Sequence, residues 1–140
     1  MKLRLTKQFS FEMAHALPSY QGKCHNIHGH SYHLDITVEA SLPDDCEMID
    51  EDGLVIDFHS IKTIVGNAVI EPYDHALLLP QNSPYTVVGP DKLILTPFQP
   101  TTENLLLHFK KLLEAAFPAQ VKLRSIRLAE TETSFAELIL

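Results

Sequence analysis

Apolar and polar residues alternate from the start of the chain. Leu3, Leu5, Phe9, Phe11 and Met13 share one parity, and Arg4, Thr6, Ser10 and Glu12 share the other. A period of two marks a strand with one buried face, and it predicts a strand over residues 3 to 17, ended by Pro18. The alternation returns from His28 to Ala40, where Leu34, Ile36, Val38 and Ala40 oppose Ser31, His33, Asp35, Thr37 and Glu39. Leu54-Val55-Ile56 reads as a short strand, after which the period changes. Asp57 takes the place of a helix N-cap, and Phe58, Ile61, Val65 and Ala68 recur at helical spacing to about Val69, with Pro72 closing the helix. From Tyr73 to Pro97 no period holds, and Pro80, Pro84, Gly89 and Pro90 indicate a loop. A second helix opens at Pro100-Thr101-Thr102-Glu103-Asn104. Thr101 or Thr102 caps it, Glu103 suits the positive end of its dipole, and Leu105, Phe109, Leu112 and Ala116 form its apolar stripe. Residues 121 to 130 and 134 to 140 read as two more strands.

The order is strand, strand, helix, helix, strand, strand, which makes residues 1 to 140 one α+β domain. The expected architecture is a four-stranded antiparallel sheet with two helices on one face. Two helices cover one face only, so the other needs a cover from outside the chain, and self-association is the economical one.

With 140 residues the chain can bury a core without staples, and the apolar fraction of 45% fits a soluble protein. No apolar run approaches the roughly 20 residues needed to span a bilayer. Met1-Lys2-Leu3-Arg4-Leu5 lacks the core of an export signal, so a cytoplasmic location is expected. A net charge of -7 argues against nucleic acid as partner. Two cysteines, Cys24 and Cys46, make no disulfide framework. Asp44, Asp45, Glu47, Asp50, Glu51 and Asp52 read as a solvated hairpin tip.

Eight histidines are many for this length, and three of them fall in Cys24-His25-Asn26-Ile27-His28-Gly29-His30. His28 and His30 are two apart on a strand and therefore share a face. His15 has the parity of Phe11 and Met13. If the first two strands pair antiparallel, His15 converges with His28 and His30. Three neutral imidazoles with no acid to pair with make poor core packing. A zinc ion satisfies all three and keeps a fourth position for water or substrate. By the residues alone, Asp74 and His75 are a turn acid and a surface histidine, and His25, His33, His59 and His108 are surface or packing residues.

Several separated motifs together resemble one family. They are Phe11-Glu12-Met13-Ala14-His15, Cys24 with His28-Gly29-His30, Val55-Ile56-Asp57-Phe58, Asp74-His75 before Ala76-Leu77, Pro100 to Leu105, and Glu130-Thr131. In order and spacing the chain resembles the 6-pyruvoyl-tetrahydropterin synthase and 6-carboxy-tetrahydropterin synthase group of tunnelling-fold enzymes, over essentially its whole length. The short chain is most similar to the bacterial 6-carboxy type. The resemblance implies a zinc-dependent lyase that converts 7,8-dihydroneopterin triphosphate to 6-carboxy-5,6,7,8-tetrahydropterin, releasing acetaldehyde and triphosphate, on the route to deazapurine nucleosides such as queuosine. It implies His15, His28 and His30 as zinc ligands, Cys24 as catalytic thiolate, Asp74 and His75 as a proton-transfer pair acting across a subunit interface, and Glu130 as the pterin anchor. Thr101, Thr102 and Glu103 are implied as further substrate contacts. Lys23, with Arg124 or Arg127 from a neighbouring subunit, is the expected basic rim for the triphosphate. Three subunits are implied to close their sheets into a barrel, and two trimers to stack as a hexamer. The alternatives are a 6-pyruvoyl product, or a pterin- or zinc-binding module without turnover.

Overall fold

The two alternating stretches form the longest strands, β1 (Lys2–His15) and β2 (His28–Ser41), paired antiparallel from Lys2 opposite Ser41 to His15 opposite His28. This is a computed structural model describing residues 1–49 and 52–140. β5 (Lys122–Thr131) pairs antiparallel with β2, and β6 (Ser134–Ile139) with β5, which completes the expected antiparallel set.

The sheet nevertheless has six strands and is mixed. β3 (Ala76–Pro80) and β4 (Leu93–Thr96) add to the other edge of β1, both parallel, giving the order β4-β3-β1-β2-β5-β6. The expectation of four antiparallel strands is corrected at the segment read as loop. Every residue of β3 is buried, because Leu78 enters the main core while Leu77 and Leu79 pack with Ala16, Tyr85 and Val87 in a second small cluster. A strand buried on both faces shows a continuous apolar run instead of an alternation.

The first helix also departs from expectation. Asp57 does cap α1 (Phe58–Val65), accepting from the Ser60 amide at 2.8 Å. The helix then runs on through a π turn, Gly66–Ile70, into a last turn α2 (Glu71–Tyr73) that contains Pro72. A proline inside a regular α-helix clashes with the carbonyl four residues back. Here the preceding turn is widened, with the Glu71 amide reaching the Gly66 carbonyl, and the helix passes Pro72 and buries Tyr73. Residues 54 to 56 form no strand. β2 already has β1 on one side and β5 on the other, so no edge is free for them. The acidic segment is accordingly a link from β2 to α1 and not a hairpin tip; its Asp50 and Glu51 lie outside the described residues.

α3 (Thr102–Ala116) is capped by Thr101 and buries Leu105, Leu106, Phe109 and Leu113, while the expected Leu112 is only half-buried and Ala116 is exposed. These side chains meet Ile61, Val65 and Val69 over Phe11, Tyr32, Leu34, Ile36, Ile126 and Leu128 of the sheet. Across the sheet lies a ladder of polar pairs, Thr6 with Thr37, Gln8 with Asp35, Ser10 with His33 and Glu12 with Ser31, at 2.8 to 3.0 Å. That face is hydrogen-bonded already, so it does not demand an apolar cover. Among the described residues no helix is long and apolar enough to cross a membrane.

Candidate metal centre and active site

Strand register assembles the centre. His15 lies opposite His28 and Met13 opposite His30, which puts all three imidazoles on the helix side of the sheet at the end of the β1–β2 pair. Ring centroids are 4.6 Å apart for His15 and His28, 5.2 Å for His15 and His30, and 4.9 Å for His28 and His30. One nitrogen from each ring lies within 4.8 Å of the others.

The hydrogen bonds around the rings decide which nitrogens face inward. Nδ1 of His15 meets the Pro100 carbonyl at 2.7 Å, and Nδ1 of His28 meets the Asn26 carbonyl at 2.8 Å. A carbonyl only accepts, so each Nδ1 carries the proton and each Nε2 presents a lone pair. The Nε2 atoms of His15 and His28 are 3.1 Å apart, and Nε2 of His30 is buried without a partner. Lone pairs face to face at that distance, beside an orphaned buried nitrogen, are unfavourable until a cation lies among them. Burial also lowers the pKa of His15 and of His30, despite the carboxylate of Glu130, which favours the neutral form a metal requires. The donor set suits a three-nitrogen metal site with an open position.

Around the centre, Glu130 on β5 places Oε1 3.9 Å from Nε2 of His15. Tyr32 lies beside His30, its ring 5.4 Å away, with a buried hydroxyl that has no well-formed partner. Burial first, then the charges of Glu130 and Cys24, push its pKa far up, so it stays protonated. Cys24 is half-buried on a single 3-10 turn, Lys23–His25, and its sulfur is not one of the atoms gathered within 4.8 Å. Lys23 is exposed on the same turn. The Pro100 carbonyl brings the start of α3 to His15. There the Thr101 hydroxyl accepts from the Asn104 amide at 3.3 Å, Thr102 is half-buried and Glu103 is exposed.

Asp74 and His75 end the first helix. His75 has a φ of 61°, a left-handed conformation that costs a non-glycine residue about 1 kcal/mol or more. The Glu12 backbone holds it there, accepting from the His75 amide at 2.6 Å and donating to Asp74 Oδ1 at 2.9 Å. Asp74 Oδ2 lies 3.0 Å from His75 Nδ1. The Glu12 amide, ahead of His75, holds the Asp74 carboxyl below its ordinary pKa. The imidazole borders an open groove of about 370 Å³ whose lining includes Glu12, Ala14, Gly29 and Ser31, together with Met13 and His30. The pair thus lies beside the end of β1, at the groove that His30 also borders. Among the described residues no hydrogen bond or ion pair joins it to Cys24 or to the imidazoles.

Within one chain Arg124 and Arg127 are engaged by carboxylates. Arg124 lies 3.6 Å from Glu39, and Arg127 lies 3.2 Å from Asp35 and stacks on Phe135. Sequence reasoning missed the Pro100 and Asn26 carbonyls and the Glu12 backbone, because backbone groups carry no residue signature. It also passed over Tyr32, whose core parity hid its position beside the centre.

The family model described as 6-pyruvoyl tetrahydropterin synthase matches residues 4–139. The chain belongs to the 6-pyruvoyl tetrahydropterin synthase family. Its relatives include the 6-carboxy-5,6,7,8-tetrahydropterin synthase of Haemophilus influenzae, 34% identical over 141 residues and covering 96% of each chain. The protein of the same name from a Synechocystis strain is 35% identical over 131 residues, covering 93% of this chain and 88% of that one. The fold is that of 6-pyruvoyl tetrahydropterin synthase from Plasmodium vivax, with a TM-score of 0.73 at 19% identity over 99% of this chain and 97% of that one. In this member of the family the three-histidine centre lies at the end of the longest strand pair, and the Asp74–His75 pair lies beside the end of β1.

Proposed function

We propose that this enzyme is a zinc-dependent 6-carboxy-5,6,7,8-tetrahydropterin synthase, a lyase that acts on 7,8-dihydroneopterin triphosphate and releases acetaldehyde and triphosphate. The observation that carries the reading is the inward set of imidazole lone pairs from His15, His28 and His30, in a chain whose relatives at 34% and 35% identity are named for the carboxy product.

His15, His28 and His30 would hold the ion. When bound, zinc supplies Lewis-acid polarisation of the substrate side-chain hydroxyls at its open position. Cys24 as thiolate takes the proton from carbon. Asp74 accepts from Nδ1 of His75 and so presents the other ring nitrogen for proton relay. Glu130 offers two acceptor oxygens to neighbouring N–H groups of the pterin ring. Lys23 faces the triphosphate, and Thr101, Thr102 and Glu103 line the ring end.

Since Asp74 and His75 make no hydrogen bond or ion pair to their own centre among the described residues, they serve a neighbouring subunit's centre in this reading. β4 and β6 are sheet edges with Leu93, Leu95, Phe135 and Ile139 exposed, which supports edge pairing of sheets in a trimer or a dimer of trimers. Purified protein given 7,8-dihydroneopterin triphosphate should release acetaldehyde and the carboxy pterin. A pyruvoyl pterin instead would assign the other synthase activity, and intact substrate with zinc bound would leave a binding module.

A further inference from the structure

The turn that carries Cys24 is short and has no buried residues. Most of its hydrogen bonds come from its own loop: the Leu17 amide to the Cys24 carbonyl at 2.9 Å, the His25 amide to the Gly22 carbonyl at 3.0 Å, and His25 Nδ1 to the Pro18 carbonyl at 2.8 Å. Among the described residues, and apart from the His28 ring on the Asn26 carbonyl, one hydrogen bond reaches residues 22 to 26 from beyond the β1–β2 loop. The Tyr85 hydroxyl donates to the His25 carbonyl at 2.8 Å. The Tyr85 ring is seated in the small cluster of Ala16, Leu77 and Leu79, so this bond ties the turn to a buried anchor.

The same connecting segment reaches the other half of the machinery. Lys92 donates from Nζ to the carbonyls of Glu71, at 2.7 Å, and Asp74, at 2.9 Å, where the first helix ends and His75 takes its left-handed conformation. The Lys92 carbonyl accepts from the Leu77 amide at 2.9 Å, which fixes the lysine's own backbone. Residues 81 to 92 thus grip the Cys24 turn at one end and the Asp74–His75 turn at the other.

We propose that Tyr85 and Lys92 are positioning residues, and that the β3–β4 connection is a brace holding the thiol turn and the proton-relay turn of each chain in working geometry. The inference rests on the roles proposed above for Cys24 and His75. If His75 serves a neighbouring subunit, the brace links parts of two different active sites. Positioning acts on the reacting geometry more than on binding, and misplacement by about an ångström can cost up to about a hundredfold in rate.

The test uses the assembled, metal-loaded protein in a Cys46→Ser background, so that Cys24 is the one thiol present. Tyr85→Phe keeps the ring and removes the donor. It should lower kcat about tenfold with KM within about twofold and zinc content unchanged. It should also change the rate of Cys24 alkylation by iodoacetamide as a function of pH. Val87→Ala loosens the same small cluster without touching the hydrogen bond, and should leave the alkylation profile in place. Lys92→Met should lower kcat about tenfold at unchanged KM, and Lys92→Arg should restore most of it. Alkylation needs no substrate, so it still tests the brace if the wild-type protein fails to turn over the triphosphate; that failure would count against the proposed function alone. A Tyr85→Phe profile that matches wild type, or is reproduced by Val87→Ala, overturns the brace, as does wild-type kcat in Lys92→Met.

Discussion

The separation of Cys24 from the three imidazoles can be read at single atoms. The three histidines gather their inward nitrogens within 4.8 Å while the thiol sits on a separate turn outside that group. Cys24→Ala should therefore retain one zinc per chain and lose turnover, and His28→Ala should lose both, with metal analysis and product assay as the measurements. Retained catalysis in Cys24→Ala, or loss of its zinc, would contradict these roles. Glu130 lies close enough to His15 to be a neighbour of the ion and far enough, at 3.9 Å, to be free for a ligand. Glu130→Gln keeps the shape and loses the charge, and should raise KM by about ten- to a hundredfold with the metal retained, as expected when a charged acceptor of paired N–H groups is lost. The clustered histidines are legible in the sequence because strand parity and an antiparallel pairing suffice to bring His15 to His28. The groups that orient them are not legible there: the Pro100 and Asn26 carbonyls exist at every residue, and only the fold says which of them points at a ring.

At the scale of elements, the sequence reads correctly wherever one face of a segment meets water. β1, β2, β5 and β6 alternate and are found, while β3 is buried on both sides and passes for loop. The continuation past Pro72 is hidden for a related reason, since a widened turn is a property of backbone geometry and leaves no period in the side chains. Glu39 is a third instance. Parity assigns it to the polar face, yet it is 5% exposed, held by Lys2 at 2.5 Å and Arg4 at 2.8 Å. Those two hydrogen bonds bring its pKa down to about 2. A carboxyl whose folded pKa is depressed stabilises the fold above its ordinary pKa and loses that contribution as pH falls through the depressed value. The melting temperature of wild type should thus exceed that of Glu39→Gln at neutral pH. The gap should narrow as pH falls from about 4.5 towards 2. A constant gap across that range would show that Glu39 acts through packing and not through its charge.

For the whole molecule, the decisive relation is that, among the described residues, the Asp74–His75 pair makes no hydrogen bond or ion pair to the three-histidine centre of its own chain. If the pair serves a neighbour, two inactive variants can complement each other. Cys24→Ala and His75→Ala, each inactive when assembled alone, should regain roughly a quarter of wild-type turnover when co-assembled at equal ratio, since a site needs an intact half from each of two chains. No recovery in demonstrably mixed assemblies would place the pair and the thiol in the same subunit. Self-association is expected from the sequence as cover for a bare sheet face. The polar ladder on that face removes that reason, and the free edges of β4 and β6 supply another. The tie between the Glu12 backbone and His75, three residues before His15, has a consequence for how such a chain can change over time. Between residues 12 and 15 one strand fixes both a relay group and a metal ligand, so a single inserted or deleted residue there would break both at once. The adjoining residues 19 to 21, between the Pro18 and Gly22 carbonyls that hold the Cys24 turn, carry neither and can vary in length. Relatives of this chain should therefore differ in length around residues 19 to 21 and keep the spacing from 12 to 15 fixed.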